Sequence, residues 1–225
     1  PGWYEKVIKA LEHSPKKNII FQTTALLLNA KREIVQKNAA DNGKRYGAHI
    51  FFMRNRQILK PIFCKKPQEQ KIYDIPGLLG ANYFTSKTWF IKIKGWQGLY
   101  NYGGMDTFLA LKSWTLGGRC QLIKDAEIGN VYRNWQYQNS KGQVLKPYSD
   151  NIVTFYYNKI FTAFVLLKNK DALFLLELLK VIAPQFYKPV RKMISENIDY
   201  IEKYRNFIQN NAVRDVYNFI HMKET

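Results

Sequence analysis

Hydrophobic positions change period once within the first thirty residues. Trp3, Val7, Ile8 and Leu11 recur at helical spacing through His13, and Asn18 to Leu28 then forms a stretch rich in apolar and β-branched residues. The first pattern predicts an amphipathic helix and the second a buried strand, so the chain opens as an α/β layer. Lys31 to Asn42 is polar and fits a helix or a surface excursion. Ala48 to Met53 and Gln57 to Phe63 are strand-like runs around Arg54-Asn55-Arg56, the pattern of a hairpin. Lys65 to Lys71 reads as a charged loop. Ile75 to Phe84, with Pro76, Gly77 and Gly80, reads as a loop entering a short strand of small residues.

Ser86 is placed to cap a short helix reaching Ile93, with Gly95 as its stop. After a loop of glycines and aromatics, Phe108, Leu109, Leu111 and Trp114 predict a helix from Asp106 that Gly117-Gly118 ends. Cys120 to Ile123 and Ile128 to Tyr132 predict two further strands. The polar segment Asn134 to Asn151 predicts a mobile loop. Beyond it the periodicity is helical over Ile152 to Leu167, Asp171 to Val181, Pro189 to Asn210 and Val213 to Met222. The expected division is therefore a mixed-sheet α/β region over 1–150 and a helical extension over 151–225. The aromatic residues of that extension, among them Phe155, Tyr157, Phe161 and Phe174, could face a membrane or a partner helix. Packing on the sheet is the more ordinary role for aromatics at helical spacing.

Composition narrows this picture. With 225 residues and 46% hydrophobic content the chain can bury a sizeable core. It opens on Pro1 and runs directly into a helix, which reads as mid-domain sequence with something preceding it. Cys64 and Cys120 lack metal-ligand spacing and make no disulfide framework, so a reducing, cytoplasmic setting is expected, with room for peripheral contact at the inner face of a membrane. The greasiest stretch, Phe161 to Ala183, is interrupted by charges and is no membrane span. Thirty-five Lys and Arg against 17 Asp and Glu give a net charge of +18, a field that recruits anions. The basic residues are spread along the chain and no nucleic-acid motif accompanies them, so no nucleic-acid partner is expected.

Several short blocks then recur in a known order. Gly2-Trp3-Tyr4-Glu5, Gly80-Ala81-Asn82-Tyr83-Phe84, the span from Gly95-Trp96 through Tyr102-Gly103-Gly104-Met105-Asp106 to Gly117-Gly118, and Ile128-Gly129-Asn130-Val131-Tyr132-Arg133 follow one another across the first 135 residues. In order and spacing they resemble the C-terminal, acceptor-side half of GT-A fold glycosyltransferases of family 2 and of the polypeptide GalNAc-transferases. The resemblance implies a partial GT-A mixed sheet, a UDP- or GDP-sugar donor, a glycan, lipid-linked or protein acceptor, and Mg²⁺ or Mn²⁺ held mainly by an upstream Asp-x-Asp. No Asp-x-Asp occurs in this chain.

An inverting glycosyltransferase needs a carboxylate to take the acceptor's proton as the new bond forms. The resemblance puts Asp106 in that role, while the residue alone reads first as a helix N-cap, and the two roles are compatible. Gly80, Ala81 and Asn82 would line the donor sugar, and Gly103 and Gly104 would admit close backbone approach. Trp96 and Tyr102 would offer aromatic platforms for a sugar ring, and Arg133 would fork onto a diphosphate. Two positions depart from the family pattern. Met105 stands where an acidic residue is usual, and Asn130 stands in place of a metal-binding His, a weaker ligand for a hard cation. These departures support a second reading, a non-catalytic module of the same ancestry that holds an anionic polymer or a membrane surface.

Overall fold

The computed structural model describes residues 2–14, 17–29, 31–35, 42–80, 82–101, 103–131 and 152–220. Helix α1 (Trp3–His13) leads into strand β1 (Ile19–Leu28), and both follow the periodicity of the sequence. Strands β2 (Lys44–Arg45), β3 (Ala48–Arg54), β4 (Gln57–Phe63), β5 (Ile72–Asp74) and β6 (Tyr83–Thr85) come next, then α2 (Lys87–Lys92), α3 (Met105–Thr115) and β7 (Arg119–Val131). The C-terminal third is helical: α4 (Ile152–Leu166), α5 (Asn169–Ile182), α6 (Pro184–Glu196) and α7 (Ile198–Asn211), with a 3₁₀ turn at Val216–Asn218.

The main sheet is mixed. β1 lies parallel to β7, and β2 and β6 pair antiparallel along the other edge of β1, while β5 pairs antiparallel with the outer edge of β7. β3 and β4 form a separate hairpin. Its loop residues Asn55 and Arg56 both adopt positive φ, at 50° and 56°, which is the backbone a two-residue hairpin requires.

Side-chain alternation gives the sheet two faces. Ile20, Cys120 and Leu122 join the large core, which also takes in Phe108, Leu109, Phe161, Val190 and Tyr204 from the helices. Ile19, Phe21 and Ile123 face the opposite way and pack with Val7 and Ala10 of α1. The aromatic residues of the helical third largely point inward, with Tyr157, Phe161 and Tyr204 among the most deeply buried side chains of the described residues. Phe174 and Tyr200 are exceptions, 52% and 40% exposed. Among the described residues no helix is long and apolar enough to cross a membrane.

Four sequence-based expectations are corrected. The two strands expected at Cys120 and Ile128 are one strand, β7, whose register against β1 steps between Thr23 and Thr24 so that Ile123 and Glu127 face successive β1 residues. The polar Lys124-Asp125 is accommodated there as an irregularity, fastened by Thr24 Oγ1 donating to the Lys124 carbonyl at 2.9 Å. The helix expected from Pro189 begins at Pro184, where a proline at the helix start sacrifices no hydrogen bond. That run also divides at Asn197, which leaves helical geometry and turns its amide back onto the Met193 carbonyl at 2.8 Å. The helix expected over Val213 to Met222 reduces to one 3₁₀ turn within the described residues. Val213 and Arg214 donate instead to the Thr115 carbonyl at 2.8 and 3.2 Å, and Asp215 caps Tyr217.

Ser86 caps α2 as its sequence suggests, accepting from the Trp89 amide at 3.1 Å. Close to it, Gly118 lies where helix α3 meets β7, and a Cβ there would sit 2.5 Å from Ser113 Oγ, 2.6 Å from the Trp89 ring and 2.7 Å from the Asn18 carbonyl. Gly118→Ala is expected to destabilise the protein by about 1–3 kcal/mol, the usual cost of overpacking, read as a lower urea midpoint with an unchanged m-value.

Candidate functional site

The site is built on the start of α3. Gly103 and Gly104 take φ of 114° and 74°, in the region side chains disfavour, and a Cβ on Gly103 would lie 2.4 Å from Phe155. Gly104 occupies the cap position of α3, and its carbonyl accepts the Phe108 amide at 2.9 Å. Asp106 is therefore not the N-cap. It stands on the second helical residue, inside the first turn, where the unpaired amides of a helix start favour an anion.

The carboxylate of Asp106 lies against the backbone of Gly80, the end of the loop that feeds β6. A Cβ at Gly80 would sit 3.5 and 3.6 Å from the two carboxylate oxygens, so a longer side chain there would cover them. Burial raises the Asp106 pKa, opposed in part by a hydrogen bond from its own backbone amide and by the positive charge of Lys159. Although the residue retains some surface, its carboxyl group is desolvated by the protein around it.

Lys159 comes from α4, a helix so apolar that Asn158 and Lys159 stand out within it. The Lys159 ammonium donates to the Ile58 carbonyl at 2.6 Å and lies 4.7 Å from the centre of the Phe155 ring. Burial lowers its pKa to about 7; the neighbouring Lys60 pushes the same way and Asp106 opposes. Asn158 is fully buried and ties down the approach to α3. Its amide donates to the Tyr100 and Gly103 carbonyls, both at 2.8 Å, and its oxygen accepts the Tyr100 amide at 2.9 Å. Neither Asn158 nor Lys159 was reached from sequence. A readable signal existed, namely adjacent amide and ammonium side chains in the middle of an apolar helix, since such groups are seldom fully buried without partners.

The remaining expected residues fall as follows. Asn82, with φ of 66°, reaches from its side chain to the Ile128 carbonyl at 3.3 Å, while its own carbonyl accepts the Thr23 amide at 3.1 Å. It thereby fastens the Gly80 loop across β1 to β7. Met105 is the first residue of α3. Trp96 is 43% exposed and packs edge-on against Phe90 at 5.1 Å, so it is a surface aromatic and not core. Asn130 pairs with Leu27 across the parallel ladder. Ala81, Tyr102 and Arg133, and the loop expected over Asn134 to Asn151, lie outside the described residues. Among the described residues no group of three or more His, Cys, Asp or Glu could hold a metal ion.

The architecture, a curled mixed sheet with helices, is similar to that of a GT-A fold glycosyltransferase structure. The chain is similar to the crystal structure of GalNAc-T7 with UDP, GalNAc and Mn²⁺, with a TM-score of 0.56 and 16% identity over 91% of this chain. It spans 35% of the length of that neighbour. No family model and no curated protein sequence matches the chain.

Two consequences can be measured. Between pH 7 and 10.5 the unfolded chain carries a proton on Lys159 that the folded chain, with its pKa at about 7, has released. Stability is therefore expected to rise with pH across that window, and Lys159→Met should flatten the rise in urea titrations taken at successive pH values. Asn158→Ala strands buried backbone groups and is expected to cost about 1–3 kcal/mol, with the fastest-growing hydrogen exchange at the Tyr100 amide.

Proposed function

We propose that this chain is the acceptor-side part of a nucleotide-sugar-dependent, inverting glycosyltransferase related to family 2 and the polypeptide GalNAc-transferases, with Asp106 as its base. The observation that carries the reading is a desolvated carboxylate in the first turn of α3, set against the backbone of Gly80 and preceded by Gly103 and Gly104 at positive φ, in a fold of this class. Region 1–150 supplies the carboxylate and the Gly80 backbone against it. Region 151–225 supplies Asn158 and Lys159 beneath them.

In the proposed step an acceptor hydroxyl approaches the anomeric carbon of the donor sugar while its proton passes to an Asp106 oxygen. The oxygen–carbon bond forms as the bond from that carbon to the diphosphate breaks, and the nucleotide departs with the electron pair. Desolvation strengthens Asp106 as a base, because a raised pKa increases its affinity for the proton. The charge of Lys159 works against premature protonation. Gly80 leaves the Asp106 oxygens uncovered by a Cβ, while Gly103 and Gly104 let the chain turn into α3 against Phe155, Asn158 and Lys159. The donor nucleotide and any Mg²⁺ or Mn²⁺ would be held chiefly by sequence outside this chain, which covers only 35% of its structural neighbour.

The second reading, a non-catalytic basic module, draws support from Met105, from Asn130 and from the net charge of +18. Sugar-nucleotide consumption by the complete protein separates the two. Asp106→Asn is expected to lower turnover by about 10²–10⁴-fold, the usual contribution of a general base, with thermal unfolding unimpaired. Wild-type turnover should rise with pH as Asp106 loses its proton, at a pH above that of an ordinary carboxylate. Equal turnover in wild type and variant would remove Asp106 from the mechanism, and no consumption by either would favour the binding module.

A further inference from the structure

We infer that the sheet face opposite Asp106 carries a second site, a groove that binds a single-chain amphiphilic anion such as a fatty carboxylate or an alkyl phosphate. The two sites are on different faces by alternation. Ile20 and Leu122 point into the core shared with α3, whereas Ile19, Phe21, Arg119, Gln121 and Ile123 point to the side covered by α1. Helix α1 covers only part of that side. Between it and β5 a cavity of about 710 Å³ remains, within the size range of small-molecule pockets, about 300–1,000 Å³.

The floor and one wall of the groove are hydrocarbon: Ala10, Ile19, Phe21 and Ile123, with Ile72 standing 42% exposed at the β5 side. Its rim is cationic. Lys6, Lys9, Lys71 and Arg119 border it, beside His13 and against a single acid, Asp125, among the described lining residues. Several of these cations are held in place by the fold. Lys6 donates to the Asp125 carbonyl at 2.5 Å, which ties α1 to the step in β7, and Arg119 donates to Asp74 at 3.3 Å through one nitrogen of its fork. The His13 ring meets the Lys9 carbonyl at 2.8 Å. Among the described residues no carboxylate pairs with Lys9 or Lys71, which leaves two ammonium groups at the mouth of an apolar trough.

An anionic head on a hydrocarbon chain satisfies both parts at once. The chain removes Ile19, Phe21, Ile72 and Ile123 from water, with a gain that grows by roughly 25 cal/mol per Å² buried, while the head meets unpaired ammonium groups. A small hydrophilic anion would leave the floor wet, and a neutral chain would leave the rim unanswered. The inference is independent of the glycosyl-transfer reading, since it shares no residue with the Asp106 site.

Isothermal titration of the complete protein tests it with dodecanoate, dodecyl phosphate, dodecanol and inorganic phosphate as separate probes, all below micelle formation. Saturable one-to-one binding of both amphiphilic anions is expected, with dodecanol weaker and inorganic phosphate not competing. The double variant Lys9→Glu/Lys71→Glu should weaken the anions by about 10-fold or more, the loss of a hydrogen bond to a charged group. Ile72→Asp should weaken anions and alcohol together. A control with the same charge change elsewhere, Lys87→Glu/Lys188→Glu, should bind as wild type does. No saturable binding of either anion would overturn the inference, as would equal affinity in the Lys9/Lys71 variant or displacement by inorganic phosphate. Asp106→Asn should bind the amphiphiles normally, so failure here and failure of the transferase reading are separately visible.

Discussion

The parallel pairing of β1 with β7 is the constraint on which the rest of the chain depends. Two strands so far apart in sequence can lie parallel only if the intervening chain crosses over, and here that crossover contains the hairpin, the Gly80 loop, α2 and α3. Asn82 shows how tightly the excursion is held to the pair, because it bonds to Thr23 on one strand and to Ile128 on the other. Gln22 adds a further tie from β1, accepting the Leu79 amide at 2.8 Å within the core. The carboxylate of Asp106 meets Gly80 because both ends of the crossover are pinned to the same two strands.

Two buried lysines show how the helical third is fastened onto this frame. Lys112 of α3 donates to the Gly95 carbonyl and to the Tyr204 hydroxyl, the latter at 2.8 Å, and lies 4.1 Å from the Phe108 ring centre. Burial drives its pKa well below the ordinary lysine value, with the charge of Lys94 adding to the effect. It links α3, the turn after α2 and α7 through one side chain. Lys159 does the same between α4 and the hairpin carbonyl of Ile58. A chain with so many exposed lysines thus places two of them where desolvation is costly, and both sit on elements flanking the Asp106 turn.

Much of this was legible in the sequence. The periods of α1, β1 and the hairpin, the Ser86 cap and the inward packing of most helical aromatics follow from local patterning and composition. What escaped was non-local. Pro189 read as a start because proline interrupts a helical pattern, but Pro184 at the helix start had the better claim. The step in β7 looked like a gap between strands, because its polar residues are satisfied by Thr24 and Lys71, distant in sequence. At the site, Asp106 and Gly80 could be placed from the order of motifs, whereas Asn158 and Lys159 enter from a helix that the motifs do not reach. The N-cap reading of Asp106 failed for a local reason: two glycines at positive φ start the helix earlier than an acidic cap would.

The electrostatics of Asp106 follow from the same geometry. Burial alone would hold a carboxylate protonated and idle near neutral pH, and a strong ion pair would hold it ionised and weakly basic. Lys159 stands between these limits, because its own burial and the nearby Lys60 bring its pKa to about 7, so that its charge is partial near neutrality. As pH rises through that value the lysine loses the charge that supports the Asp106 anion, and the carboxylate becomes a stronger base as it becomes harder to ionise. The two titrations are thereby coupled through a helix that lies some fifty residues beyond the motif carrying the carboxylate, which makes the helical region part of the electrostatics of the Asp106 turn as well as its support.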